Sequence, residues 1–554
     1  MIKAKIISSL EKAFVDLDVD SFEQIKRLSA LKGERINLQM VYCYDKTDSP
    51  KMTAPLRIAP VLSGELAPYA SLRAVESVPV LYPTHPDGTD DNYLRVTPGL
   101  YPDVLRPLYY GGRITLNPSA TCAVWVEINI PTELDGGPYS LRVELDGGEL
   151  GSAVCEVEVE VIGAELPSED IYFTQWFHAD CLANYYNVEV WSDRHFEIVE
   201  SFVRTARRNG INMILTPIFT PPLDTAIGGE RRTTQLVGVE LSDGEYRFDF
   251  TLLDRWIEML NRCGVEYIEF SHLFTQWGAK HAPKIIARVD GEDKKLFGWH
   301  TDAHGEEYVG FLHRFIPELL SHMEARGDGS RCFFHISDEP HELDEEDYKR
   351  SKASVADLLR GYTVMDALSD VRFYEKGIIE HPIPSNDVIA PFIEAGVPGL
   401  WTYYCMAQPL EVSNRFHSMP GWRNRSIGMQ IYKFGIVGFL HWGYNFYNNQ
   451  YSADQLNPYL DQSCDFAFPG GDSNSVYPAP DGTALESMRL AVFYEALEDI
   501  KAMKLAESLT SHAYVVAEME AVFGSEITFA TCAKSAAMMH AIRERVNEII
   551  KENL

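Results

Sequence analysis

Asp338 and Glu339 stand side by side after the apolar run Cys332-Phe333-Phe334-His335-Ile336 and just before Pro340. Two carboxyls at one point of a chain can perform general acid–base work or stabilise a developing positive charge. Adjacent strand residues point to opposite faces, so both acids reach one pocket only if the strand stops there. Pro340 cannot donate to a ladder and supplies that stop. The competing reading is an acidic turn in water, since the charged stretch continues through "HELDEEDYKR".

The elements that must position these acids follow from hydrophobic rhythm. To about residue 165 the pattern alternates with period two, as in Val124, Val126, Ile128 and Ile130, or Val157, Val159 and Val161 against Glu156, Glu158 and Glu160. That pattern predicts antiparallel strands with one wet face, as in a β-sandwich. "GAELPSED" at 163–170 reads as a linker. Beyond it the rhythm becomes helix, glycine, buried strand. Phe196, Val199, Val203 and Ala206 form one helical face, capped by Ser192 or Asp193 and closed by Gly210. The unit recurs with Leu253, Trp256, Ile257 and Leu260 before Gly264, and with Leu312, Ile316, Leu319 and Met323 before Gly327.

Eight candidate strands fall at 172–178, 212–219, 267–274, 332–339, 372–377, 387–392, 400–405 and 438–445, which predicts a (β/α)8 TIM-like barrel. A doubly wound open sheet would want a glycine-rich phosphate loop, and the sequence has none. The hairpin signal Asp243-Gly244 lies in a long excursion after the second strand and is expected at the barrel mouth. The expected organisation is a β-sandwich over 1–165, the barrel over 166–480 and a helical C-terminal tail over 481–554.

The C-terminal ends of barrel strands carry active sites. Here they offer Trp176, His178, Trp401, Tyr403, Tyr404, Trp442, Tyr444 and Asn445 around Asp338 and Glu339, with Phe274 and Trp277 nearby. Aromatic faces with polar edges suit a sugar, and Phe, Trp and Tyr make up 12% of the chain. A carbohydrate substrate is therefore expected. The net charge of −32 argues against nucleic acid or an anionic membrane as partner. No metal and no redox cofactor are expected: His335, Asp338 and His341 lack a metal-motif spacing. The nine cysteines contain no Cys-x-x-Cys and read as reduced thiols. The N-terminus has no apolar core of signal-peptide length, so the chain as given reads as cytoplasmic. A secreted or periplasmic location would need a leader ahead of it.

The motifs "HISDEP", "PGLWTYYC", "NRSIGMQIYKFGIVGFLHWGYN", "FPGGDSNSVYP" and "ESMRLAVFYEALEDI" resemble, in order, glycoside hydrolase family 123 and its related catalytic domains. The likeness spans roughly 100 to 505. It implies a sandwich followed by a barrel, and exo-acting β-N-acetylgalactosaminidase activity with retention by substrate-assisted catalysis. On that pattern Asp338 orients and polarises the 2-acetamido group and Glu339 is the general acid/base. Adjacent carboxyls fit such a mechanism, because they are too close to flank a glycosidic bond. Mutual repulsion is expected to hold Glu339 protonated. Two alternatives stand beside this. One is a two-carboxylate retaining glycosidase whose nucleophile is Glu269 or Glu375, which needs carboxyls about 5–5.5 Å apart. The other is a non-catalytic carbohydrate-binding protein on the same scaffold.

Overall fold

The computed structural model describes residues 1–45, 54–86, 88–118, 120–168, 171–276 and 278–554. Trp277 lies outside them.

The N-terminal part is two β-sheets facing one core. One sheet runs Ile2–Ser8, Arg35–Tyr44, Cys122–Asn129, Ala70–Val80 and Gly99–Pro107. The other runs Arg27–Lys32, Ser152–Glu165, Gly137–Asp146 and Val61–Ser63. Val124, Val126 and Ile128 of the first meet Leu141, Val143, Val157, Val159 and Val161 of the second. In Gly137–Asp146 and Ser152–Glu165 the alternation is that of core and solvent faces, whereas Trp125 and Glu127, between Val124, Val126 and Ile128, are buried on the other face of their sheet instead of being wet.

The second body is a barrel of eight parallel strands: Tyr172–Gln175, Met213–Thr216, Tyr267–Phe270, Cys332–Phe334, Thr363–Ala367, His381–Ile383, Trp401–Tyr403 and Gly438–His441. The first strand pairs with both the second and the eighth. The sixth and seventh close the ring through Asn386 N–H to Tyr403 O and Tyr403 N–H to Pro384 O. Met213, Leu215, Phe333, Met365, Ile383, Trp401 and Leu440 fill the interior, while Ile214, Ile268, Phe334 and Phe439 face the surrounding helices. Burial on both faces explains the continuous apolar runs. Gly264 and Gly327, at φ of +74° and +81°, end their helices in the left-handed conformation.

Two of the eight expected strands are elsewhere. The fifth is Thr363–Ala367 rather than 372–377, and the sixth is His381–Ile383 rather than 387–392. Arg372–Glu375 and Ala390–Glu394 are short helices. The hairpin Gly238–Ser242 with Glu245–Asp249 forms around Asp243-Gly244, joined by a second hairpin, Ile285–Val289 with Glu292–Phe297. Tyr246 and Phe248 pack on Phe311 of the helix Glu306–Arg326. The loop ahead of this hairpin, not the hairpin's strands, lines the barrel mouth.

Three helices follow: Met488–Leu509, His512–Phe523 and Ala536–Glu552. The first stacks Phe493 on Phe173 of the barrel, with ring centres 4.6 Å apart. The last reaches back to the sandwich, where Arg543 binds Glu34 at 2.8 Å and Ser29 donates to Glu544 at 2.6 Å. Arg425 makes a two-pronged pair with Asp499 and also binds Glu495. Asp103 of the sandwich accepts from Arg489 and from the Tyr477 hydroxyl. The motif residues Tyr477, Arg489, Glu495 and Asp499 are therefore buttresses between the bodies. A buried pair of this kind loses heavily when one partner is removed, because a charge is left unpaired. All nine cysteines are free, and no described helix is long and apolar enough to cross a membrane.

Candidate active site

The fourth barrel strand ends at Phe334, and the chain from His335 to Glu339 leaves the ladder. Glu339 takes a left-handed φ of +45° directly before Pro340. This conformation is costly for a non-glycine residue and breaks the up–down alternation. Its N–H is held by Ala367 O of the fifth strand at 3.0 Å. The result places both Asp338 and Glu339 on one cleft of about 240 Å³, with Trp176, His178, Asp224, Gln276, Tyr403 and Trp442 among its walls.

Each acid has its own environment. Asp338 is 6% exposed and accepts a hydrogen bond at Oδ2 from Gln276 Nε2, 2.8 Å away. Burial, added to by the Glu339 carboxylate, pushes Asp338 well above the usual carboxylate range. Asp338 is the buried member of the pair and Glu339 is half-buried. Glu339 Oε1 accepts from the Tyr403 hydroxyl at 2.7 Å. Tyr403→Phe removes that donor and is expected to lower kcat/KM about tenfold or more while leaving thermal unfolding nearly unchanged. Unaltered kinetics in this variant would show that Glu339 is oriented by something else.

The walls are also fixed. Trp176 donates to Glu269 at 2.8 Å and Trp442 to Asp472 at 2.9 Å, so both indoles present a rigid surface. His178 donates from Nε2 to Trp442 O and accepts at Nδ1 from Arg231. That pattern fixes its tautomer, and burial beside the Arg231 cation pushes its pKa down to about 3. Arg231 is itself held by Asp180 through two hydrogen bonds of 2.8 and 2.6 Å. Asp224 is a third acid in the cleft, at φ +46°, and its Oδ2 is buried without a partner. Burial raises its pKa to about 6.

Four of the aromatic and polar residues expected around the sugar lie away from the cleft. Trp401 points into the barrel two residues below Tyr403 and stacks on Tyr172 at the opposite end. Tyr404 points outward and donates to Asn424. Tyr444 stacks on Phe177 and donates to Phe202 O outside the barrel. Asn445 clamps the His178 backbone through both its amide atoms. Phe274 is buried in the outer core. Tyr403 and Trp442 differ from these by strand parity and height, which composition does not report.

The two alternative nucleophiles are misplaced. Glu269 is fully buried in the barrel interior, bound by Thr174, Trp176 and His335. Glu375 is exposed on the short helix Arg372–Glu375. Below the cleft, His335 bridges Glu269 at 2.7 Å and Asp366 at 3.2 Å. Burial would lower its pKa, yet hydrogen bonds to Asp366 and Glu269 outweigh that and raise it to about 10. His272 stacks on it at 4.4 Å, and donor atoms of His272, His335 and Asp366 lie within 4.8 Å of one another. Both His335 nitrogens are spent on the carboxyls of Asp366 and Glu269, while His272 stacks on this buried group with both ring nitrogens unpartnered and burial pushing its pKa well down.

Sequence reasoning missed Gln276, Asp224, Arg231, Asp180, Asp366 and Asp472. Asp224, Arg231 and Gln276 sit on loops without periodicity, so no pattern pointed to them.

The model of the catalytic domain of glycoside hydrolase family 123 matches residues 176–506. A solved family 123 glycoside hydrolase from Clostridium perfringens, studied for glycolipid glycan hydrolysis, superposes with a TM-score of 0.73 at 15% identity. That match covers 100% of this chain and 98% of the other. A Bacteroides ovatus GH5 xyloglucanase matches at a TM-score of 0.30 and 9% identity, over 89% of this chain and 100% of its own. No curated protein matches the chain. With the family model spanning more than half of its length and the paired acids at the barrel mouth, the chain belongs to glycoside hydrolase family 123 and is a glycosidase.

Proposed function

We propose that the enzyme removes a terminal β-linked N-acetylhexosamine, with GalNAc favoured, by retaining, substrate-assisted catalysis. The observation that carries this reading is the shared cleft of the consecutive residues Asp338 and Glu339, with Glu269 and Glu375 both outside it. In the first step the substrate's acetamide oxygen attacks C1. The bond from C1 to the glycosidic oxygen breaks, and Glu339 gives that oxygen its proton. Asp338 accepts the acetamide N–H and offsets the positive charge on the cyclic oxazolinium. In the second step Glu339 takes a proton from water, which attacks C1 and reopens the ring. Two inversions give retention. The acetamide N–H joins Gln276 as a donor to Asp338, favouring the carboxylate that burial otherwise resists.

The test is hydrolysis of 4-nitrophenyl β-GalNAc beside the β-GlcNAc, β-galactoside and β-glucoside. Cleavage confined to the acetamido sugars is the expected result, and glycolipid glycans, the substrate of the C. perfringens enzyme, are the natural material to try next. Cleavage of a sugar without the acetamide moves the nucleophile onto the protein. Asp224, the remaining carboxyl of the cleft, would then fill that role, and Asp224→Asn would abolish turnover.

A further inference from the structure

Gln276 connects two carboxylic residues of the cleft through one amide. Its Oε1 accepts the Asp224 backbone N–H at 2.5 Å, and its Nε2 donates to Asp338 Oδ2 at 2.8 Å. A backbone N–H can only donate, so the amide has one allowed orientation. Nε2 must therefore face Asp338. The Asp224 N–H points at Gln276 because Asp224 adopts φ +46°, a left-handed conformation that the loop sustains at a cost.

We propose that Gln276 is a positioning residue that holds Asp338 in the ionised, correctly rotated state that the acetamide requires. This rests on the functional reading above. Gln276 presents Asp338 with a donor only, which favours Oδ2 as the unprotonated oxygen. Any proton that burial places on Asp338 sits on Oδ1. That oxygen is the one left for the substrate, since Gln276 is the side chain that donates to Asp338 among the described residues. Acetamide binding and loss of the Asp338 proton thus occur at one atom. The hydrogen bond from Gln276 favours the charged form and partly opposes the effects of burial and of Glu339.

The experiment compares pH profiles of kcat/KM for the full chain and Gln276→Met, a substitution of similar length without the donor. Loss of a donor to the carboxylate raises its proton affinity, so the acid limb is expected to move up by about one pH unit. At a pH on that limb kcat/KM then falls about tenfold, with the alkaline side unmoved. Gln276→Glu is isosteric but donates to Asp338 only when protonated, so its profile is expected to narrow, with activity lost on the acid side as Asp338 is protonated and lost again as the new carboxyl ionises. If Gln276→Met does not fold, the narrowed profile of Gln276→Glu decides. Profiles that superimpose on the wild type overturn the proposal while leaving the hydrolase reading intact. If the wild type cleaves no acetamido sugar, that reading fails first. The Asp338 midpoint, followed by carboxyl ¹³C NMR with and without the substitution, then still decides: an upward shift supports Gln276 and an unchanged midpoint removes it.

Discussion

Glu339→Gln is expected to lower kcat/KM on a β-N-acetylhexosaminide with a sugar or alkyl leaving group by about 10²–10⁴-fold, the usual range for a general acid–base group. The substitution keeps the shape of the side chain, and Tyr403 can still donate to the amide oxygen in place of Oε1. Folding should therefore be preserved, and the loss should be one of chemistry. The loss should also depend on the leaving group. A nitrophenolate leaves without much protonic help, whereas an alkyl or sugar alkoxide needs the proton of Glu339. The deficit should then be largest on an oligosaccharide and smallest on the nitrophenyl glycoside in its first step. Equal rates for the variant and the wild type on an oligosaccharide would remove Glu339 from the mechanism.

Asp338→Asn should cost about 10²–10³-fold in kcat, comparable to deleting one electrostatic stabiliser of a developing charge. The geometry makes the amide worse than neutral. Gln276 Nε2 presses a donor on one side, so the new amide turns its oxygen to Gln276 and its NH₂ into the cleft. Two N–H groups, one from the variant and one from the acetamide, then oppose each other. A second readout separates function from damage. In the wild type, burial raises the Asp338 pKa above its unfolded value. A carboxyl held above its unfolded pKa weakens the fold as pH rises past the unfolded value, and the cost is complete above the folded value. The neutral amide escapes it. Asp338→Asn should therefore be less active and more thermostable at neutral pH, with the gain vanishing below about pH 4. A variant that is both inactive and less stable at pH 7 would mark Asp338 as structural.

Much of the barrel was legible because each unit repeats one physical pattern: an amphipathic helix, a glycine that turns left-handed, and a strand buried on both sides. Six of the expected strands lie where that rhythm places them. The fifth and sixth escaped it for identifiable reasons. Thr363–Ala367 carries Asp366 as the fourth of its five residues, fully buried and neutralised by His335, Tyr348 and the Ile336 N–H, so it reads as polar. His381–Ile383 is three residues long and contains Pro382. The paired acids were legible from the Asp-Glu-Pro junction. The surrounding wall was only half legible, since Trp401 and Tyr403 share a strand face and differ by one layer of height. Gln276 and Asp224 were invisible because their meeting depends on two loops and one unusual backbone angle.

The contacts of the last helix set the order in which the molecule can be finished. Glu34 and Arg543 are 509 positions apart, and Ser8 meets His540 at 2.7 Å. A ribosome makes Glu34 509 residues before its counter-charge. Until then the nascent sandwich has a carboxylate that cannot be buried without its cation, so that edge stays open to water. Contacts between segments so far apart in sequence form late and slow the final docking. The two bodies therefore do not mature as beads on a string. The sandwich is sealed by a helix made some 509 residues after Glu34, so its maturation waits on the barrel that lies between them.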